Sequence, residues 1–355
     1  MTTIPLSPAP AADVFTNLEG ICRGRDLDPL AGRLVDLRLF LEDDLAEVER
    51  AIGVASVGEG LAQRSARHLL DQEGKRLRPI CVALAARAGS GFNAAARAYA
   101  VSVELVHNAT LLHDDVVDLG DRRRGADAAR VVYGNAASIF GGDWLLVDAL
   151  CRIQAANIPG VMERMLAVIK EMVVAESLQL AGRGKLRASV SEYFQVVSGK
   201  TAALFRWAMY AGARAGGLDE KATLALEGFG EQLGVAFQLV DDVLDVAGDP
   251  AATGKALLTD LREGKATYPL ILAMERDREL TPLLEQICAE SEVALDPALG
   301  ARVVRSMTAA RVADDCLDLA TRFCREAVAR LEVLPPSRAR SSLEAVALSI
   351  PKRRK

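Results

Sequence analysis

The chain has 355 residues, of which 50% are hydrophobic and 26% charged, and its formal net charge is −5. This composition excludes a disordered or collagen-like chain, and mild acidity argues against a general nucleic-acid binder, which is ordinarily basic. Aromatic residues are scarce while Ala and Leu abound, a bias toward helix because these side chains lose little rotamer freedom in a helical turn.

Residues 1–35 are rich in Pro, Ala and Asp and read as a loosely structured extension with room for one short helix. They lack a basic start followed by an apolar run, so no secretory signal is expected. No run of about 18 uncharged apolar residues follows, so no spanning helix is expected. Cys22, Cys81, Cys151, Cys288, Cys316 and Cys324 form no CxxC pair, which leaves reduced thiols in a cytoplasmic protein as the expectation. From residue 36 to 355 the pattern is helical and no Gly/Ser-rich linker intervenes, so one large helical domain is expected. The stretch LRLFLEDDLAEVERAI sets the tone, with apolar residues every three or four positions.

The next feature is GKRLRP, residues 74–79, where Lys75, Arg76 and Arg78 stand at the mouth of an apolar helix. Residues 93–119 then form a long segment apolar around its whole circumference, as do residues 222–247; such helices are ordinarily buried. Each carries Asp-Asp-x-x-Asp: Asp114, Asp115 and Asp118 in the first, Asp241, Asp242 and Asp245 in the second. Helical residues four apart share a face, so Asp114 and Asp118 can aim at one point, as can Asp241 and Asp245. Like charges so placed require a cation nearby. Lys or Arg could neutralise one pair; two clusters of carboxylate oxygens facing each other suit magnesium, which takes oxygen ligands and substrate phosphates.

Other candidates surround these motifs. His107 precedes Asp114 by two helical turns, and His113 is a weaker candidate. Arg123 and Arg124 follow Asp118 closely. Lys200 and Thr201 lie in the apolar helix SGKTAALF, where a lysine needs an anionic partner. Lys255 and Lys265 follow the second acidic motif. Arg and Lys are both good phosphate ligands. A third Asp-Asp-x-x-Asp, Asp314, Asp315 and Asp318, lacks such basic context and reads as a solvated face paired with Arg311 and Arg322. The final PKRRK reads as a solvated tail. No P-loop and no GxGxxG after a strand is present, which argues against a kinase or a dinucleotide fold.

Taken in order, GKRLRP (74–79), HNATLLHDDVVD (107–118), RRG (123–125), GD (142–143), ESLQL (176–180), GKT (199–201), FQLVDDVLD (237–245) and GK followed by DLREGKATYPLI (260–271) make the chain resemble the trans-isoprenyl diphosphate synthases, or polyprenyl synthetases. The resemblance runs from about residue 60 to about 275. It implies an all-α bundle around a deep central cavity, working as a homodimer with two or three magnesium ions. It implies that Lys75, Arg78, His107 and Arg124 hold the diphosphate of isopentenyl diphosphate, with Lys265 also a substrate ligand. Arg123, Lys200 and Lys255 would hold the allylic diphosphate. Thr201 and Gln238 would line the reaction chamber. Asp114, Asp118 and Asp241 would bind metal directly, supported by Asp115, Asp242 and Asp245. Leu258 and Tyr268 depart from the family's usual Gly and Leu, and neither change removes a charge.

The same resemblance makes the residues before the first acidic motif a ruler for product length. Ala109 and Thr110 are small, as is Ser102 one heptad earlier, so a medium or long polyprenyl product is expected, with Trp144, Leu145 or Leu150 as floor. Peripheral membrane contact is expected where so apolar a product is released. The rival readings are a shorter-chain synthase, a class I terpene cyclase, a non-catalytic partner subunit and a helical scaffold with solvated charges.

Overall fold

The computed structural model describes residues 28–72, 74–186, 189–248, 257–289 and 296–353, with backbone alone for 28–31. The regular structure of the described residues is helical but for one hairpin of two-residue strands, Arg122–Arg123 and Ala126–Asp127. Its turn residues Arg124 and Gly125 both have positive φ, 50° and 83°, the combination that tight hairpins require.

The chain divides into two compact units. The first comprises Met1–Met162, Ala208–Thr223 and Leu334–Ala345. Its helices include α1 (Asp28–Gly53), α2 (Leu61–Leu70), α3 (Leu77–Arg87), α4 (Ala94–Val117), α5 (Ala129–Tyr133) and α6 (Asn135–Ala156). Helix α1 begins inside the stretch read as an extension; residues 1–27 lie outside the described residues. As its uniform apolarity predicts, α4 is central, with Tyr99, Val103, Leu105 and Leu112 fully buried. Asn93 caps it, accepting from the Ala96 amide at 3.0 Å while donating to the Ala215 carbonyl at 2.8 Å; such a cap satisfies an orphan amide of the first turn. Helix α6 lies against α4 along small residues. A Cβ added at Gly142 would stand 2.2 Å from His113 Nε2 and 3.0 Å from the Ala109 carbonyl, so a side chain there would have to displace His113 and press on the α4 backbone. The Ser138 hydroxyl donates to the Leu112 carbonyl at 2.8 Å, and Ser102 donates to Ala149 at 3.1 Å.

The second unit comprises Glu163–Trp207, Leu224–Val333 and Val346–Lys355. It contains most of α7 (Val161–Gly182), α8 (Val190–Val197), the start of α9 (Ala203–Ala215) and most of α10 (Glu220–Ala247). The later α11 (Thr259–Arg262), α12 (Tyr268–Arg276), α13 (Leu280–Ala289), α14 (Pro297–Ala309) and α15 (Val312–Arg330) also belong to it, while α16 (Arg338–Ser349) straddles the boundary between units. A capping box at Ser189 and Glu192 starts α8, securing two orphan amides reciprocally. Between α8 and α9 the backbone widens into a π-helical turn, Ser198–Ala202, a feature often found at functional sites. The core joins Leu258, Leu261, Leu270, Leu284, Val303 and Cys316. Burial pushes the Cys81, Cys316 and Cys324 thiols up to about 12, so they stay protonated and inert. No helix among the described residues is long and apolar enough to cross a membrane.

Candidate active site

In the first unit, the basic segment 74–78 meets the middle of α4. Arg76 is buried rather than substrate-facing. Its Nε lies 2.7 Å from Glu49 and a terminal nitrogen 2.7 Å from Glu104 on α4. Lys75 beside it is exposed and Arg78 half-buried. Arg124 donates to the Gln72 carbonyl at 3.3 Å, and burial followed by the charges of Arg76, Arg123 and Arg78 lowers its pKa against the pull of Glu104. His107, one turn beyond Glu104, has a pKa well below the ordinary imidazole value because of burial and then Arg78. That shift favours the neutral imidazole.

The first acidic motif splits by environment. Asp115 is 1% exposed and receives both Nε and a terminal nitrogen of Arg123, at 3.0 and 2.5 Å. Arg123 is thus held by the acidic motif. Asp114 and Asp118 remain half-buried, and the Asp118 amide closes α4 onto the Asp114 carbonyl at 2.7 Å. Of the residues expected to govern length, Ala109 is buried and Thr110 donates to the His107 carbonyl at 2.8 Å. Leu145 is buried, Leu150 half-buried and Trp144 exposed.

In the second unit a cleft of about 420 Å3 is lined by Gln179, Tyr193, Lys200, Thr201, Gln238, Asp242, Asp260, Lys265 and Thr267, among others. The lysine that needed an anion has one: Lys200 pairs with Glu176, and its Nζ donates to Gln179 Oε1 at 3.0 Å. Both partners come from the ESLQL segment on α7. From the π turn, Thr201 donates to Gln238 Oε1 at 2.7 Å, and Gln238 Nε2 donates to Asp242 Oδ1 at 2.7 Å. Tyr193 donates to the other Asp242 oxygen at 2.6 Å. Asp242 is the counterpart of Asp115, 2% exposed and fixed on both oxygens. Burial and then the Asp260 charge push its pKa well above the carboxylate range. Asp245 accepts from the Thr259 and Asp260 amides at 3.1 and 3.2 Å. Lys265 pairs with Glu263 at 2.6 Å. Lys255 lies outside the described residues.

One expectation is corrected. The final basic segment is not wholly solvated: Arg353 is 7% exposed, pairs with Asp241 at 3.0 Å and stacks 4.1 Å over the Phe237 ring. Phe237 and Asp241 share a face of α10, one turn apart, and together form a seat for a guanidinium. Arg354 and Lys355 lie outside the described residues. The third acidic motif is a surface feature as read, with Asp314 paired to Arg311 at 3.2 Å, while Asp315 pairs with Arg276. Glu104, Tyr193 and Arg353 escaped sequence reasoning, and Glu176 and Gln179 entered it only as part of the ESLQL motif, with no role assigned. Only the i, i+3 pair Glu176 and Gln179 carried a local signal.

Among the described residues, no three His, Cys, Asp or Glu side chains are gathered as a ready metal cage. The half-exposed carboxylates Asp114, Asp118 and Asp241 are hard oxygen donors of the kind magnesium takes singly or in pairs beside phosphate, so the donor set fits a divalent cation.

A helical protein with two carboxylate motifs and fixed cations beside them is built to bind diphosphates with divalent metal. The polyprenyl synthetase family model matches residues 59–298. The heptaprenyl diphosphate synthase component 2 of Geobacillus stearothermophilus is 33% identical over 88% of this chain and 97% of its own. The octaprenyl diphosphate synthase of Haemophilus influenzae is 35% identical over 79% and 84%. A polyprenyl synthase from Caulobacter crescentus, solved with calcium and isoprenyl diphosphate, is 35% identical with a TM-score of 0.85, covering 90% of this chain and 98% of that one. The chain belongs to the polyprenyl synthetase family, and it is a prenyltransferase with the all-helical isoprenoid synthase fold.

Proposed function

We propose that the protein condenses isopentenyl diphosphate head to tail onto an allylic diphosphate, giving a medium- or long-chain trans-polyprenyl diphosphate. The observation that carries this reading is the division within both acidic motifs. The middle aspartate of each, Asp115 and Asp242, is buried and pinned by fixed partners, while Asp114, Asp118 and Asp241 keep access to solvent. A merely solvated acidic face needs no such scaffolding.

In this reading Asp114, Asp118 and Asp241 hold magnesium, which when bound supplies positive charge to the allylic diphosphate. Lys200, aimed by Glu176 and Gln179, together with Arg123, Lys255 and Lys265, meets the same diphosphate and stabilises the charge that develops on it as it leaves the allylic carbon. Thr201 and Gln238 shape the chamber. Lys75, Arg78, Arg124 and neutral His107 hold the second diphosphate, so that the isopentenyl double bond faces the allylic carbon. The proton lost afterwards goes to the departing diphosphate.

The reading extends to assembly. Ile139, Phe140, Trp144 and Val147 on α6 are 40–59% exposed, and residues 140, 144 and 147 fall on one face of the helix with Cys151. A second copy of the chain would bury that stripe, making a homodimer. Such an enzyme works in the cytoplasm and touches a membrane at most peripherally, to release product.

The test is to incubate the purified chain alone with magnesium, labelled isopentenyl diphosphate and a series of allylic primers, then measure product length. Hydrocarbon released without isopentenyl incorporation makes it a cyclase. Activity that appears only with a second protein makes it one component of a pair. Ala109→Phe should shorten the product; an unchanged length removes Ala109 from the channel wall.

A further inference from the structure

The segment that carries Lys75 and Arg78 is anchored by the third cation of the same run. Arg76 lies between them with φ 49° and ψ 26° at the N-cap of α3, a left-handed conformation that non-glycine residues adopt only where the surroundings impose it. Its guanidinium is clamped between two carboxylates, Glu49 at 2.7 Å and Glu104 at 2.7 Å. Glu104 is 2% exposed, and its Oε1 also receives Asn108 Nδ2 at 3.3 Å. Gly74 completes the arrangement: a Cβ there would stand 2.8 Å from an Arg76 nitrogen and 3.3 Å from both terminal nitrogens of Arg124. Two guanidiniums therefore converge on one stretch of backbone, and Glu104 is the buried anion that holds the first of them.

Burying such a pair costs desolvation that an apolar pair would avoid. Core filling alone does not account for it, since Arg76 leads into an α3 whose other early positions, Leu77 and Pro79, are already apolar and buried. We propose that Glu104 is a positioning residue of the isopentenyl diphosphate site: through Arg76 it fixes the kinked backbone that presents Lys75 and Arg78, and its charge lets Arg124 approach the same phosphate. This rests on the function proposed above. It predicts that the loss of Glu104 damages one substrate's binding and not the other's.

The experiment compares wild type, Glu104→Gln and the double variant Arg76→Met/Glu104→Gln, measuring KM for each substrate, kcat and the melting temperature. Binding of isopentenyl diphosphate without primer is followed by calorimetry. Glu104→Gln should raise KM for isopentenyl diphosphate at least tenfold, leave KM for the allylic primer within threefold, and weaken direct binding in parallel. The double variant removes the buried guanidinium, and the Glu49 it leaves behind is 22% exposed and can turn to solvent, so it should recover the melting temperature while its KM stays raised at least fivefold. The proposal is overturned if KM for both substrates rises together, if Glu104→Gln binds isopentenyl diphosphate as tightly as wild type, or if KM returns along with the melting temperature. Failure of the functional reading is distinct, because wild type itself would then neither bind isopentenyl diphosphate nor elongate a primer.

Discussion

Adjacent aspartates of the first motif should respond in opposite ways to loss of charge. The Asp115 side chain is 1% exposed and ion-paired to an Arg123 that is 29% exposed. In Asp115→Asn the guanidinium loses its charged partner. Truncating one side of a fully buried pair costs about 3–5 kcal/mol. Arg123 can partly rehydrate, which reduces the figure to roughly 2–3 kcal/mol by the same principle. For a cooperative unit of 150–250 residues, that lowers the melting temperature by about 4–12 °C. Asp114, half-buried at the surface of α4, should tolerate Asp114→Asn with a change under about 1 kcal/mol, yet lose orders of magnitude in kcat as a proposed metal ligand. Thermal melting by circular dichroism, paired with condensation assays at a temperature where both variants are folded, reads both quantities. The reasoning fails if Asp115→Asn melts with wild type, or if Asp114→Asn turns over normally at saturating magnesium.

Three further outcomes follow from the packing. Arg353→Met removes a pair whose Asp241 partner is 39% exposed, so the screened ion pair and the stacking on Phe237 together amount to about 1–2 kcal/mol. Melting should fall modestly, while magnesium binding to the substrate-free protein, read by calorimetry, should tighten by about fivefold for each kcal/mol of competition removed; unchanged or weaker binding would refute the competition. Gly142→Ala places a methyl group against the His113 ring and the Ala109 carbonyl. Overpacking of about 1–3 kcal/mol, less about 1 kcal/mol from better helix propensity, should lower melting and shift the product-length distribution, and an unaltered distribution would show that Ala109 is not displaced. Burial raises the Glu104 pKa, but Arg76 and the neighbouring cations outweigh it and bring it down to about 2 from 4.5. A depressed folded-state pKa means stability present above 4.5 and lost as pH falls toward 2, so acid unfolding of Glu104→Gln should lack this component; a curve parallel to that of wild type would contradict it.

Helices were legible because their signal is local. The all-round apolarity of α4 and α10 sits on one stretch of chain, and their burial follows from it. The spacing of Asp114 and Asp118, or of Asp241 and Asp245, likewise needs only the helical repeat. The requirement that Lys200 have an anionic partner followed from the cost of burying a lone charge; that Glu176 and Gln179 supply it did not, because they stand on a different helix. The basic run 74–78 was legible as a cluster of cations, but not as two exposed or half-exposed groups around one buried anchor.

The sequence by itself determined the all-helical class, the order of the motifs and the charges available to a diphosphate, since each is a matter of composition and short-range periodicity. Only the tertiary structure decided which of those charges face solvent and which are held. Asp242 is fixed by Tyr193 from another helix, Arg76 by Glu49 and Glu104, and Asp241 by Arg353 at the far end of the chain. The energy of a buried charge depends on partners within a few ångströms in space, and the chain brings those partners from positions that no local pattern connects.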